Sequence, residues 1–168
     1  MVIILMGPKG GGKSTIREYL ENKGFVSVYM EALFAEFDSK QEHTPDNPSE
    51  ELRNLVYSTA LNRIIEQSKI KNVVFDGTGS SDRFINFLNV LKQKCLSLKV
   101  VYIDCDAQMA YRRTQLRDKD NHRPFTKEYF DDIYNKCETR KKIADQIIIN
   151  NGTIEKLLTQ VQEILLKS

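Results

Sequence analysis

The sequence predicts an α/β protein whose parallel sheet is covered by helices on both faces, and three observations predict it. Its strand candidates are continuous apolar runs, such as Val2-Ile3-Ile4-Leu5-Met6, the pattern of strands buried from both sides. Segments with apolar residues three and four apart separate those runs, so strand and helix alternate along the chain. Between the first run and the first helical segment stands a glycine-rich turn, Gly7-Pro8-Lys9-Gly10-Gly11-Gly12-Lys13-Ser14.

The first strand is the run 2–6, stopped by Gly7-Pro8, and it is too short for a membrane span or a secretory signal. A helix is expected over 13–23 and a second strand over 25–30. The stretch 31–41 is ambiguous: Ala32-Leu33-Phe34-Ala35 suits the start of a helix, whereas 41–49 holds Pro45 and Pro48 among polar residues and reads as a mobile loop. A helix over 50–70 leads to a third strand at 72–75, and a helix over 82–94 leads to a fourth at 98–104. Helices over 106–118 and 126–144 flank the polar loop 117–125. The last strand, 146–149, precedes a helix over 153–166 with Gly152 or Thr153 as N-cap. Its stripe is Ile154, Leu157, Leu158, Val161, Ile164 and Leu165. No repeat or low-complexity tract interrupts this order, and 168 residues suit one domain, 1–168.

Composition narrows the function. The net charge of +2 comes from 25 basic and 23 acidic side chains spread along the chain, so no field draws the protein to nucleic acid or membrane. Cys95, Cys105 and Cys137 form no CxxC pair, and His43 and His122 lie far from them, so a zinc site is not expected. Three thiols without a leader segment suit a reducing, cytoplasmic setting.

The segment 7–14 matches G-x-x-x-x-G-K-[ST] at every fixed position, directly after a strand and before a helix. A polyphosphate must be surrounded by backbone N–H groups, and residues without a Cβ, here Gly7, Gly10, Gly11 and Gly12, let the chain curl tightly enough to aim them inward. The helix that follows points its positive end at the phosphates. Lys13 can then reach the β- and γ-phosphates of ATP, Ser14 can ligate Mg2+, and Thr15 completes the nucleotide-binding set.

Two acids are expected at the same sheet edge, because ligands of open parallel sheets gather beyond the carboxyl ends of the strands. Asp76 ends the run Val73-Val74-Phe75 and can hold a Mg2+-bound water or accept a proton from an acceptor hydroxyl. Thr78 and Arg83 are acceptor-binding candidates from the same segment. Glu31 follows Val28-Tyr29-Met30 and can bind acceptor hydroxyls or act as base. The bland readings are a turn-forming aspartate and an ordinary first-turn glutamate.

Four arginines, Arg112, Arg113, Arg117 and Arg123, fall within twelve residues at a helix end and in the polar loop. Guanidinium groups carried by a closing lid, about 117–126, stabilise the charge that spreads over a phosphoryl group in transfer. Arg113 and Arg117 share a helix face; Arg117 and Arg123 are assigned to phosphate and Arg113 to stacking near the adenine. His122 reads as a lid surface residue, and Arg140 is a further phosphate ligand candidate that an exposed helix face explains nearly as well.

In motif order the chain resembles the P-loop nucleoside monophosphate kinase superfamily, within it dephospho-CoA kinases and adenylate-kinase-like proteins, over nearly its whole length. The resemblance rests on Gly7 to Ser14, Glu31, Val73 to Gly77, and Val101-Tyr102-Ile103-Asp104 followed by Arg112, Arg113 and Arg117. It rests also on the passage from Arg140 through Ala144-Asp145 into the last strand. It implies a three-layer α/β/α P-loop fold with strand order 2-3-1-4-5 and a lid. It further implies an acceptor-binding region about 31–70, with Arg53 as phosphate anchor, and Asn150 beside the adenine. Met30-Glu31 stands where dephospho-CoA kinases show Asp-Ala-Asp, and Asp76-Gly77-Thr78 resembles instead the Asp-Gly turn of nucleotide and polynucleotide kinases, so the acceptor stays open.

The expected activity is Mg2+-dependent transfer of the γ-phosphoryl group of ATP to a small-molecule acceptor, a nucleotide or nucleoside-like compound, by a monomer or homodimer. Two alternatives stand beside it. A polynucleotide 5'-hydroxyl kinase is opposed by the near-neutral charge. A non-kinase NTP-hydrolysing regulatory module is opposed by the arginines present in the chain itself and by the lack of an N-K-x-D guanine motif.

Overall fold

The computed structural model describes residues 1–37, 48–116 and 126–166. Five strands, β1 (Val2–Met6), β2 (Val26–Tyr29), β3 (Val73–Asp76), β4 (Leu98–Asp104) and β5 (Gln146–Ile149), form one parallel sheet in the order β2-β3-β1-β4-β5. Helices α1 (Lys13–Glu21), α2 (Met30–Phe37), α3 (Glu50–Ser68), α4 (Asp82–Lys94), α5 (Ala107–Gln115), α6 (Lys127–Arg140) and α7 (Ile154–Leu166) connect them. The expected fold class and strand order are those observed.

The apolar run of β1 is what makes the sheet two-sided. Successive side chains of a strand point to opposite faces. Val2, Ile4 and Met6 therefore pack with Val56, Ala60, Ile64 and Leu88 of α3 and α4. Ile3 and Leu5 pack with Ile16, Leu20, Leu157 and Val161 of α1 and α7. All five residues of β1 are buried, and Ile4 and Met6 are completely so.

Helix starts follow local chemistry. Ser49, Ser81, Asp106 and Thr126 each accept a backbone N–H of the first turn of α3, α4, α5 and α6, satisfying donors that a helix N-terminus otherwise leaves open. Thr153 precedes α7 and takes a long 3.5 Å bond from Lys156 N.

Three expectations need adjustment. The second strand ends at Tyr29, because Met30 already opens α2, which buries Leu33 and Phe34 and so settles the ambiguous stretch as a helix. The helix expected over 126–144 stops at Arg140 and tightens into a 3-10 turn, Lys141–Ile143. Of the two expected loops, 41–47 and 117–125 lie outside the described residues.

The margin at β5 is partly open, with Ile147 and Ile149 about half exposed. There the Gln160 side chain of α7 accepts from Ile149 N at 3.0 Å and donates to Ile149 O at 2.9 Å.

Candidate active site

The strand order reverses at β1, which lies between β3 and β4, and the glycine-rich turn leaves β1 at that switch. Gly10 has φ +75°, and a Cβ there would stand 2.1 Å from Ala110 O of α5. Gly12, the N-cap of α1 with φ +98°, would bring a Cβ within 2.3 Å of Asn150 Nδ2. The turn thus needs glycine both for its curl and for its seat against α5 and the end of β5.

Hydrogen bonds fix its outline. Gly7 N donates to Thr78 O at 3.2 Å and Gly11 N to Pro8 O at 3.1 Å. Asn150, buried just after β5, donates through Nδ2 to Gly11 O at 2.8 Å. Lys13 is 7% exposed, and its Nζ donates to Gly7 O at 3.1 Å and Pro8 O at 2.9 Å, so the ammonium is drawn back over the mouth of the turn. Ser14 and Thr15 follow half-buried in the first turn of α1.

The turn opens onto a cavity of about 260 Å³. Lys13 and Ser14 line it from the turn, Glu31 from the first turn of α2, and Arg53 from α3. Asp76 lines it from the end of β3, Thr78 from the loop that follows, and Arg83 from α4. Seven residues singled out from the sequence are thus brought to one wall or another of a single space. Arg53 Nε donates to Pro48 O at 2.9 Å, and Arg83 pairs with Glu50. Thr78 O also accepts from Cys137 Sγ at 3.3 Å, and its hydroxyl lies 3.0 Å from that of Ser80. Phe34, Tyr57, Phe75 and Phe84 supply an aromatic lining.

Other candidates lie elsewhere. Arg113 donates from Nη1 to Asn150 O at 3.2 Å and reaches Cys105 Sγ at 3.3 Å, which groups it with Asn150 on the far side of the turn. Arg140 pairs with Asp82 and is not among the residues that line the cavity. Arg117, Arg123 and His122 lie outside the described residues.

Sequence reasoning missed three residues. Lys9 and Tyr57 line the cavity. Arg17 lies behind it, its guanidinium carbon 4.0 Å from the centre of the Tyr29 ring and its Nε 3.7 Å from Asp76 Oδ2. A charged residue at one of the unspecified positions of the glycine-rich turn was the signal available for Lys9. Nothing in the local pattern marked Tyr57.

Burial sets the protonation of the groups around the site. It pushes the Tyr57 phenol above its ordinary value, leaving a neutral hydroxyl at the cavity wall. The Cys137 thiol is pushed up to about 11, chiefly by burial, and stays protonated as donor to Thr78 O. Tyr134, whose hydroxyl donates to Cys105 O at 3.0 Å, is pushed up to about 12, again chiefly by burial. Lys141 is raised by its bond to Asp104, 2.6 Å away.

A hydroxyl on Ser14 and a carboxylate on Asp76, both hard oxygen donors at one cavity, suit Mg2+. Among the described residues no three His, Cys, Asp or Glu side chains cluster as a metal cage. An ion held by two protein oxygens, with water and phosphate completing its shell, is the arrangement this donor set fits.

Comparison with known proteins agrees with this geometry. A family model described as AAA domain matches residues 3–141. The chain is 28% identical over 191 residues to the dephospho-CoA kinase of Fusobacterium nucleatum subsp. nucleatum, covering 96% of this chain and 95% of that one. It is 27% identical over 165 residues to the shikimate kinase of Staphylococcus haemolyticus, covering 95% and 91%. The solved structure of shikimate kinase from Acinetobacter baumannii in complex with shikimate shares the fold, with TM-score 0.65 at 21% identity over 99% of this chain and 93% of that one.

Proposed function

This chain belongs to the AAA-domain family, and from that premise we propose that it is a kinase transferring the γ-phosphoryl group of ATP, with Mg2+, to a hydroxyl of a small-molecule acceptor, a nucleotide or nucleoside-like compound. One observation carries the reading: the phosphate-binding turn opens directly onto a cavity that holds two carboxylates and two guanidinium groups. The dephospho-CoA kinase and shikimate kinase relatives support a phosphotransferase.

The roles follow from chemistry. The backbone N–H groups of Gly10, Gly12 and Lys13 and the positive end of α1 hold the β- and γ-phosphates. Lys13 exchanges its bonds to Gly7 O and Pro8 O for phosphate oxygens, so the cation is stationed before the charge arrives. Ser14 and Asp76 would hold Mg2+, which would supply positive charge against the phosphates. Asp76 or Glu31 accepts the proton of the acceptor hydroxyl. Arg53 and Arg83 take an anionic group of the acceptor, while Phe34, Tyr57 and Phe84 offer their rings to a planar one. Arg113 and Asn150 border the adenine. Arg117 and Arg123 act from the lid, and Arg140 remains a candidate for phosphate. Residues 31–70 form the acceptor region of a single domain.

The test is calorimetry with Mg2+ and ATP, followed by turnover with labelled ATP against nucleoside monophosphates, nucleosides, dephospho-CoA, shikimate and an oligonucleotide. Acceleration by a small hydroxylated compound is the expected result. No magnesium-dependent affinity for any nucleoside triphosphate would end the reading. Label on the oligonucleotide alone would replace it with polynucleotide kinase activity.

A further inference from the structure

We propose that Arg17 is a positioning residue for Asp76, fastening that carboxylate to the helix that carries Lys13 and Ser14. The inference rests on the phosphoryl-transfer reading above and adds a residue to it.

Arg17 lies four residues after Lys13 on α1, so the two side chains leave the same helix face one turn apart. An arginine followed by Glu18 and Glu21 reads in sequence as a solvated helix pair. The structure places it otherwise. Its side chain is only 13% exposed, and the outer nitrogens meet Glu18 Oε1 and Glu21 Oε1 at 3.5 Å each, while the inner edge faces the sheet. There Nε lies 3.7 Å from Asp76 Oδ2, a carboxylate that is itself 12% exposed. The guanidinium also sits 4.0 Å over the ring of Tyr29. Tyr29 and Asp76 are direct neighbours across β2 and β3, so one cation bridges the ends of two adjacent strands just below the cavity that both residues line.

Arg17 Nε is buried and has no hydrogen-bond partner among the described residues. A buried N–H seldom goes without an acceptor, and the carboxylate facing this one is Asp76, less than an ångström beyond hydrogen-bond range. Arginine keeps its charge throughout the working range and offers a rigid fork, which suits it to hold a carboxylate in one direction rather than to exchange protons with it. The consequence is geometric. Lys13, Ser14 and, through Arg17, Asp76 are all carried by α1, so the oxygens and the cation that meet the phosphates move as one body.

A double-mutant cycle tests this with ADP, aluminium fluoride and Mg2+ as the probe, read by calorimetry and therefore independent of the acceptor. Arg17→Met keeps an apolar stem over Tyr29 and removes the guanidinium. It is expected to weaken binding of the fluoride complex about tenfold, while ADP without Mg2+ binds within about twofold of wild type. Arg17→Lys keeps the charge without the planar fork and should recover part of the loss. In an Asp76→Asn background, Arg17→Met should cost nothing further. Losses that multiply in the double variant, or an unchanged affinity in both Arg17 variants, would overturn the proposal. A wild-type chain that binds no Mg2+-nucleotide would bring down the phosphoryl-transfer reading and this inference with it, whereas normal wild-type binding with a multiplicative cycle removes the inference alone.

Discussion

Gly10→Ala puts the seat of the phosphate turn to a quantitative test. The new Cβ would stand 2.1 Å from Ala110 O and 3.1 Å from Thr114 Cγ2. Ordinary contact begins at 3.4 Å, so the shortfall against the carbonyl, 3.4 less 2.1, is about 1.3 Å, and the turn and α5 must part by that much. An L-residue at φ +75° costs about 1–2 kcal/mol, and overpacking of this kind adds about 1–3 kcal/mol. The sum is about 2–5 kcal/mol, which in a chain of 168 residues lowers Tm by about 5–15 °C. Gly24→Ala isolates the backbone part, since Gly24 has φ +87° with nothing within 4 Å of the new Cβ; its Tm should fall by only about 3–6 °C. Differential scanning calorimetry of both variants, with and without ATP and Mg2+, reads the two contributions. Gly24→Ala should keep the full rise in Tm on adding nucleotide and Gly10→Ala should lose most of it. Equal melting of the two variants, with the nucleotide response intact in both, would refute the crowding argument.

Lys13→Met should lower turnover by at least about 100-fold while shifting Tm little, because among the described residues its ammonium bonds only to two carbonyls at the cavity mouth; turnover assays and circular dichroism melts check both. Alkali should destabilise the chain. The Cys137 thiol, at 9.0 ordinarily and about 11 when folded, holds its proton more tightly in the native state, so its contribution is intact below pH 9 and is lost between about pH 9 and 11; urea melts across that window should show falling stability. Cys95 is half-buried, whereas Cys105 and Cys137 are buried with thiols pushed up by that burial, so brief iodoacetamide treatment at pH 8 should label Cys95 first by mass spectrometry.

Much of the fold was legible because its signals are local. Unbroken apolar runs mark strands that helices cover twice over, and β1 shows why: alternate residues supply two different cores. The phosphate turn was legible because its pattern is a backbone requirement written in glycines. Asp76 and Glu31 were legible by position, at strand ends that must open on one edge. What escaped depends on folding at a distance. Glu18 and Glu21 disguise Arg17 as a surface pair, and only the pairing of β2 with β3 brings Tyr29 and Asp76 beneath it. Arg140 illustrates the reverse, a cation whose partner, Asp82, lies 58 residues away in sequence. Met30 reads as the end of an apolar strand, yet the chain turns there because Leu33 and Phe34 bury better from a helix.

Gln160 gives the sheet a finished border. Ile147 and Ile149 are greasy and accessible, the kind of flank from which stacked, fibril-like growth is seeded when main-chain donors and acceptors stand vacant. At Ile149 both are already occupied by one amide side chain, so an incoming strand must first evict it, at the cost of two hydrogen bonds. One polar side chain thereby closes the sheet at Ile149 to the addition of another strand.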